Sequence, residues 1–361
     1  MVMTELVRAQ PAFKVDFVPS LGLDLLSTMG LIGIVHDFEG LDAWLVEAAA
    51  SVPPRLRHDI QLAMRMGVYP YVVVETVSDQ ILQPGAAGHD DFNGLIEDLK
   101  ALSPQECAAM VHKIVQRTAA NADVELLHTP AEIIADQEQL EELLAKMQFP
   151  VDTDELIELL QQPTEWRDLL VSTIQRFWDR IYREQYELQQ ARRERNAHYH
   201  RTHQYSVNFR DLFAGVTGRR LPDHIHERLG TISTVRFVPS QYIGPYLSFL
   251  FNGSLLTVFY NSSTTPAEGD EQTERTQSLY QPLAALADKT RLQIMTLLHG
   301  RELYAQEIVN LLDIHQSAVS RHLKLMETSG VLNVRRDKGA KYYSINRQRI
   351  EEISARLREF V

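Results

Sequence analysis

The sequence predicts a mainly α fold with small β elements. An N-terminal α+β region, helices plus a small antiparallel sheet, is followed by a short helical module closed by a β-hairpin. Three observations predict this. Apolar residues recur with helical period for about 200 residues, broken only by proline and glycine clusters. Alternating apolar runs bracket that stretch at both ends. Residues 304–345 then read as helix, turn, helix and hairpin. A length of 361 residues suits about two to three domains, and the chain divides into 1–261, a linker at 262–275, and 276–361.

In order along the chain, Phe13-Lys-Val-Asp-Phe-Val18 alternates and is closed by Pro19, which predicts a strand. The helical stretch that follows is interrupted near Pro53-Pro54, at Gln83-Pro-Gly-Ala-Ala-Gly88, at Thr129-Pro130 and at Phe149-Pro150. A long helix is predicted from about Thr164 to Ala197. The region ends in β signals at Ile232–Val238, Tyr246–Phe251 and Ser254–Tyr260. Asn252-Gly253 marks a hairpin between the last two, because both central positions of a type I′ turn need positive φ. Phe-Val-Pro-Ser occurs at 17–20 and again at 237–240, and is read as two similar strand ends, neighbours in one sheet. It is too short to be an internal repeat.

The segment Asn261–Glu274 is small, polar and acidic, without apolar periodicity, and reads as a linker. Overall, 44% apolar and 23% charged residues describe a chain able to bury real cores. A single cysteine, Cys107, excludes an internal disulfide framework and a cysteine-based zinc site. It sits among apolar neighbours and reads as core. Neither an export signal nor a membrane span is expected: the apolar stretch Leu21–Val35 is too short and carries Asp24. A cytoplasmic location is expected.

The net charge of −12 is unevenly distributed. Residues 278–361 hold 13 Lys+Arg and 9 Asp+Glu, a net of +4, which leaves −16 for residues 1–277. Such asymmetry is expected when one module meets phosphate and the other must avoid it.

The basic end carries the most informative pattern. Gln277–Ala287 is an apolar-striped helix, and Asp288 is placed to cap a second one, Lys289–Leu298, which Gly300 stops. Tyr304–Leu312 is a short amphipathic helix and Asp313-Ile314 a turn. In the next helix, His315–Met326, Val319, Leu323 and Met326 share one face. Gln316, Ser317, Ser320, Arg321 and Lys324 are left free for phosphates and base edges. Val331–Arg336 and Lys341–Ile345 pair across Asp337–Ala340 as a hairpin bearing Arg335, Arg336, Lys338 and Lys341. The whole reads as a winged helix-turn-helix. A helix-turn-helix pattern alone often marks only two packed helices; the basic hairpin and the local charge reversal favour DNA binding.

Residues 278–361 resemble the winged-helix repressors of the arsenic-repressor (ArsR) type. The resemblance rests on Leu286-Ala-Asp-Lys-Thr-Arg-Leu-Gln-Ile-Met-Thr-Leu-Leu298, Gln316-Ser-Ala-Val-Ser-Arg-His-Leu-Lys324 and Gly330-Val-Leu-Asn-Val-Arg-Arg336. It implies a homodimer with Gln277–Ala287 and Arg347–Phe360 at its interface. It also implies that Gln316, Ser317, Ser320, Arg321 and His322 lie at the DNA surface. His315 stands where the family usually has a serine or threonine cap. The family's metal sites cannot be built here, since the helix before the recognition helix lacks cysteine and the last helix lacks histidine. No metal and no cofactor is expected.

Other features carry less. His198, His200, His203, His224 and His226 suit either a metal site or the charged end of a long helix, and neighbouring arginines disfavour the metal. Trp166, Phe177, Trp178, Tyr182 and Tyr186 read as core or interface before they read as a ligand-pocket wall. Phosphate loops, dinucleotide fingerprints, nucleophile elbows and His-Glu-x-x-His are all absent, so no enzymatic activity is expected.

The function expected is sequence-specific transcriptional regulation by a dimeric repressor bound to double-stranded DNA. Arg321 and Gln316 are the expected base readers, and Lys324, Arg335, Arg336, Lys338 and Lys341 the expected phosphate contacts. The N-terminal region would receive a small-molecule or protein effector, with no membrane partner. The alternatives are an enzyme with a DNA-binding tail and a winged helix used against another protein.

Overall fold

The computed structural model describes residues 13–64, 70–147, 153–205, 208–262, 279, 282–337 and 340–358. The Phe149-Pro150 break, most of the linker, and Lys338 lie outside them.

The N-terminal region opens with β1 (Lys14–Phe17) and continues through α1 (Leu21–Ile32), α2 (Ala43–Ser51), α3 (Pro54–Met64), α4 (Pro70–Ile81), α5 (Phe92–Lys100) and α6 (Pro104–Asn121). There follow α7 (Pro130–Ala135), α8 (Gln137–Met147), α9 (Thr153–Gln161) and α10 (Pro163–Phe177). A π turn at Trp178–Tyr182 joins α10 to α11 (Arg183–Thr202), so the long helix is continuous but bulged. Next come α12 (Phe209–Thr217), α13 (Asp223–Arg228), β2 (Thr234–Ser240), β3 (Ser248–Asn252) and β4 (Leu255–Asn261).

Local chemistry sets many of these ends. Ser20 accepts the Leu23 N–H and starts α1, while Ser103 and Thr129 form capping boxes with Glu106 and Glu132. Helix α1 is buried along its whole length, Asp24, Ser27 and Thr28 included, and its apolar residues accordingly lie on every side. The apolar run around it is thus a core helix. Among the described residues no helix is long and apolar enough to cross a membrane.

The sheet has the order β1-β2-β4-β3. It is mixed, which corrects the antiparallel expectation: β1 with β2 and β2 with β4 run parallel, and only the β3–β4 hairpin is antiparallel. The physical reason is the connection, because some two hundred residues of helix separate β1 from β2 and leave either direction open. The two Phe-Val-Pro-Ser segments are indeed neighbours. Phe17 pairs with Phe237 in register, and their rings stack with centroids 5.3 Å apart.

Both faces of the sheet are covered. Val238 and Phe259 join the core of α1–α10, whereas Val235, Phe237, Leu256, Val258 and Tyr260 pack with Phe209 and Phe213 of α12. Burial on both sides accounts for the nearly continuous apolar run of β4, residues 255–260 with only Thr257 interrupting it. Trp166, Phe177, Trp178 and Tyr182 are core residues and Tyr186 packs against them, as is Cys107, whose thiol burial pushes up in pKa. A third cluster, built only from residues 279–353, forms the core of the C-terminal module.

Candidate nucleic-acid interface

After a helical stretch at 282–286, Asp288 caps α14 (Lys289–Leu297) by accepting the Arg291 N–H at 2.9 Å. Gly300, at φ 74, turns the chain into β5 (Leu303–Tyr304) and α15 (Ala305–Leu312). Asp313, in the left-handed region at φ 52, ends α15. The recognition helix α16 (Gln316–Thr328) starts at His315, whose side chain makes no capping bond. β6 (Leu332–Asp337) and β7 (Ala340–Ile345) form the hairpin, and α17 (Arg347–Arg358) closes the module. β5 adds a third strand in the order β5-β7-β6, which sequence reasoning missed because a two-residue strand has no periodicity.

Val319, Leu323 and Met326 are buried in the module's core, and this fixes the rotation of α16. Gln316, Ser317 and Ser320 are thereby exposed and Arg321 half-buried. Among the described residues no ion pair holds Arg321. The wing lies against the same helix: Lys341 Nζ is 3.5 Å from Glu327 Oε2. Arg335 pairs with Glu302 at 2.9 Å and lies over the Tyr342 ring, 4.8 Å from its centroid. Arg336 is on β6, opposite Lys341 in register.

Two expected DNA residues touch the N-terminal region, His322 half-buried and Lys324 exposed. His322 Nδ1 faces Glu39 Oε2 of the N-terminal region at 3.4 Å. Lys324 Nζ lies 4.0 Å from the Phe38 ring centroid and 5.6 Å from that of Tyr246, and burial lowers its pKa. Glu39 also takes Arg291 Nη1 at 2.8 Å. The sequence signal for this contact was Leu325, an apolar residue off the core stripe of α16. It is 5% exposed and belongs to no cluster within the module.

The histidines with described side chains do not form a common site. His200 is buried and stacked on Phe17, with Nδ1 hydrogen-bonded to the Tyr205 hydroxyl. His198 is exposed, His203 stacks on Tyr199, and His226 Nε2 meets Arg210 at 2.7 Å; the His224 side chain lies outside the described residues. Among the described residues no three His, Cys, Asp or Glu side chains are grouped to hold a metal.

This arrangement of helices, third strand and basic hairpin defines a winged helix-turn-helix. Residues 288–334 match the family described as "Bacterial regulatory protein, arsR family", and the C-terminal module is an ArsR-type helix-turn-helix. Residues 1–287 lie outside that match. The chain is 34% identical over 64 residues to the transcriptional activator HlyU of Vibrio cholerae, a stretch that is 18% of this chain. It spans 59% of that relative's length. The solved structure of HlyU from Vibrio cholerae is 27% identical, covering 24% of this chain and 96% of the other, with a TM-score of 0.21. NolR from Sinorhizobium fredii is 28% identical, covering 27% and 95%, with a TM-score of 0.23.

Proposed function

We propose that this protein is a sequence-specific, DNA-binding transcriptional regulator and not an enzyme, divided into an N-terminal regulatory domain (1–261), a linker (262–275) and a winged helix-turn-helix domain (276–361). The observation that carries the reading is the outward face of α16. Gln316, Ser317, Ser320 and Arg321 lie together on the first turns of the helix, exposed or half-buried, while Val319, Leu323 and Met326 are buried. Arginine suits guanine and glutamine suits adenine in the major groove. Arg335, Arg336, Lys338 and Lys341 of the wing then hold the backbone beside it.

The working unit is a homodimer, which places two recognition helices in successive major grooves. The exposed Leu357 of α17 supports an interface that includes the last helix. Regulation is by repression through occupancy, in the cytoplasm. Although the similar Vibrio cholerae protein bears the name of an activator, a promoter reporter carrying the bound site distinguishes the two signs. The N-terminal domain receives the effector.

Fluorescence anisotropy with duplex DNA over a salt series tests the reading. Lys341→Ala is expected to weaken binding to all duplexes and to reduce the salt slope by about one. Arg321→Ala is expected to relax sequence preference at a cost of about 1–3 kcal/mol on the best site. Binding that is indifferent to both changes contradicts the proposal.

A further inference from the structure

We propose that the loop Phe38–Leu41 is an intramolecular lock on the recognition helix, so that docking of the N-terminal region and occupancy by DNA exclude one another. The inference rests on the DNA-binding reading above and deepens it. The contact is built from several interactions on adjacent residues. Glu39 bridges Arg291 and His322, and Phe38 with Tyr246 seats the Lys324 ammonium. The two rings meet edge to face at 5.1 Å, and the Tyr246 hydroxyl donates to the Glu39 carbonyl at 2.8 Å.

Beneath them the backbone approaches α16 closely. Gly40 has φ +76, and a Cβ there would lie 3.2 Å from Leu325 Cδ1. Gly244, at φ +60, packs so tightly on the same loop that its Cβ would come within 2.2 Å of the Gly40 carbonyl oxygen. Leu325 is thus buried by the N-terminal region, which an open recognition helix has no reason to provide.

Space and charge both make the contact incompatible with DNA. A major groove about 12 Å wide admits one helix with phosphate walls on either side. A loop seated over positions 322, 324 and 325 occupies the room those walls need. It also places the Glu39 carboxylate where phosphate would come, and engages Lys324, a residue otherwise free for backbone contact. Binding must therefore displace the loop, and the free energy of docking is subtracted from the affinity.

The test uses the full chain and a mixed-sequence duplex of about 40 base pairs at about 50 mM salt, where binding without sequence preference is measurable. Glu39→Lys breaks the bridge to Arg291 and His322, and Phe38→Ala removes the seat of Lys324 without changing charge. Glu47→Lys, an exposed position on α2, makes the same charge change at a residue that forms no ion pair with α16 among the described residues. Glu39→Lys and Phe38→Ala are each expected to tighten binding by about fivefold or more, and Glu47→Lys by less than about twofold. Hydrogen exchange on the wild-type chain is expected to show residues 38–41 losing protection when the duplex is added. Equal tightening by both lysine variants with none from Phe38→Ala overturns the lock. So does wild-type affinity in every variant, or unchanged exchange at 38–41 with DNA bound; in these cases the DNA-binding reading survives. Absence of binding by any form overturns both.

Discussion

Asp24 Oδ2 and Arg193 Nη1 lie 3.0 Å apart although 169 residues separate them in sequence, and neither side chain is more than 2% exposed. The pair ties the central helix α1 to the far end of the bulged helix. Tyr182, the last residue of the π turn, donates its hydroxyl to the same carboxylate oxygen at 2.5 Å. Arg193 also donates to the Tyr186 carbonyl at 2.7 Å and covers the Tyr186 ring. Burial raises the Asp24 pKa while Arg193 opposes the shift. Removing one partner strands a buried charge. Arg193→Ala is therefore expected to cost about 3–5 kcal/mol, and Asp24→Asn with Arg193→Met together less than the sum of the single changes. Urea unfolding followed by circular dichroism checks both; a cost under about 1 kcal/mol for Arg193→Ala contradicts the assignment.

His200 gives the N-terminal region a pH dependence. Burial, assisted by the charge of His203, lowers its pKa to about 4. The ordinary imidazole value is about 6.5, so between these values the unfolded chain binds a proton that the folded chain does not. The stabilisation is fully present above about pH 6.5 and is lost as the pH falls toward 4, amounting to roughly 1–3 kcal/mol. His200→Gln is expected to flatten this part of the profile, read from urea midpoints at both ends of the window. A profile of unchanged steepness would show that other groups carry it.

Gly244 is a steric prediction. Its φ of +60 is strained for other residues, and the Gly40 carbonyl oxygen stands where a Cβ would go. Gly244→Ala is expected to destabilise by more than about 1 kcal/mol and to shift the Phe38–Leu41 loop. Gly253→Ala, also at positive φ but with open space around it, is expected to cost only the backbone term, about 1 kcal/mol. Equal losses in thermal unfolding would remove the argument from close packing.

Much of this was legible in the sequence where the signal is local. Asn252-Gly253 announced the β3–β4 hairpin, Asp288 announced the start of α14, and the Val319, Leu323, Met326 stripe oriented the recognition helix. The repeated Phe-Val-Pro-Ser gave the pairing of β1 with β2. Strand direction was not legible, because parallel pairing across a long helical connection leaves no turn residues to read. The Asp24–Arg193 pair was equally hidden, since nothing local marks which distant arginine answers a buried acid. On α16, Gln316, Ser317 and Ser320 are exposed, as the apolar stripe led one to expect, and Arg321 is half-buried. The contacts of His322 with Glu39 and of Lys324 with Phe38 and Tyr246 were not legible, because those partners lie in the other region of the chain.

The most direct test of the account is selection of duplexes from a randomised pool by the full-length protein, followed by sequencing. The account predicts enrichment of a two-fold symmetric site whose halves are about 10 base pairs apart, centre to centre, and loss of one conserved base per half-site in Arg321→Ala. A selected pool no different from the input, with the protein folded, would contradict it.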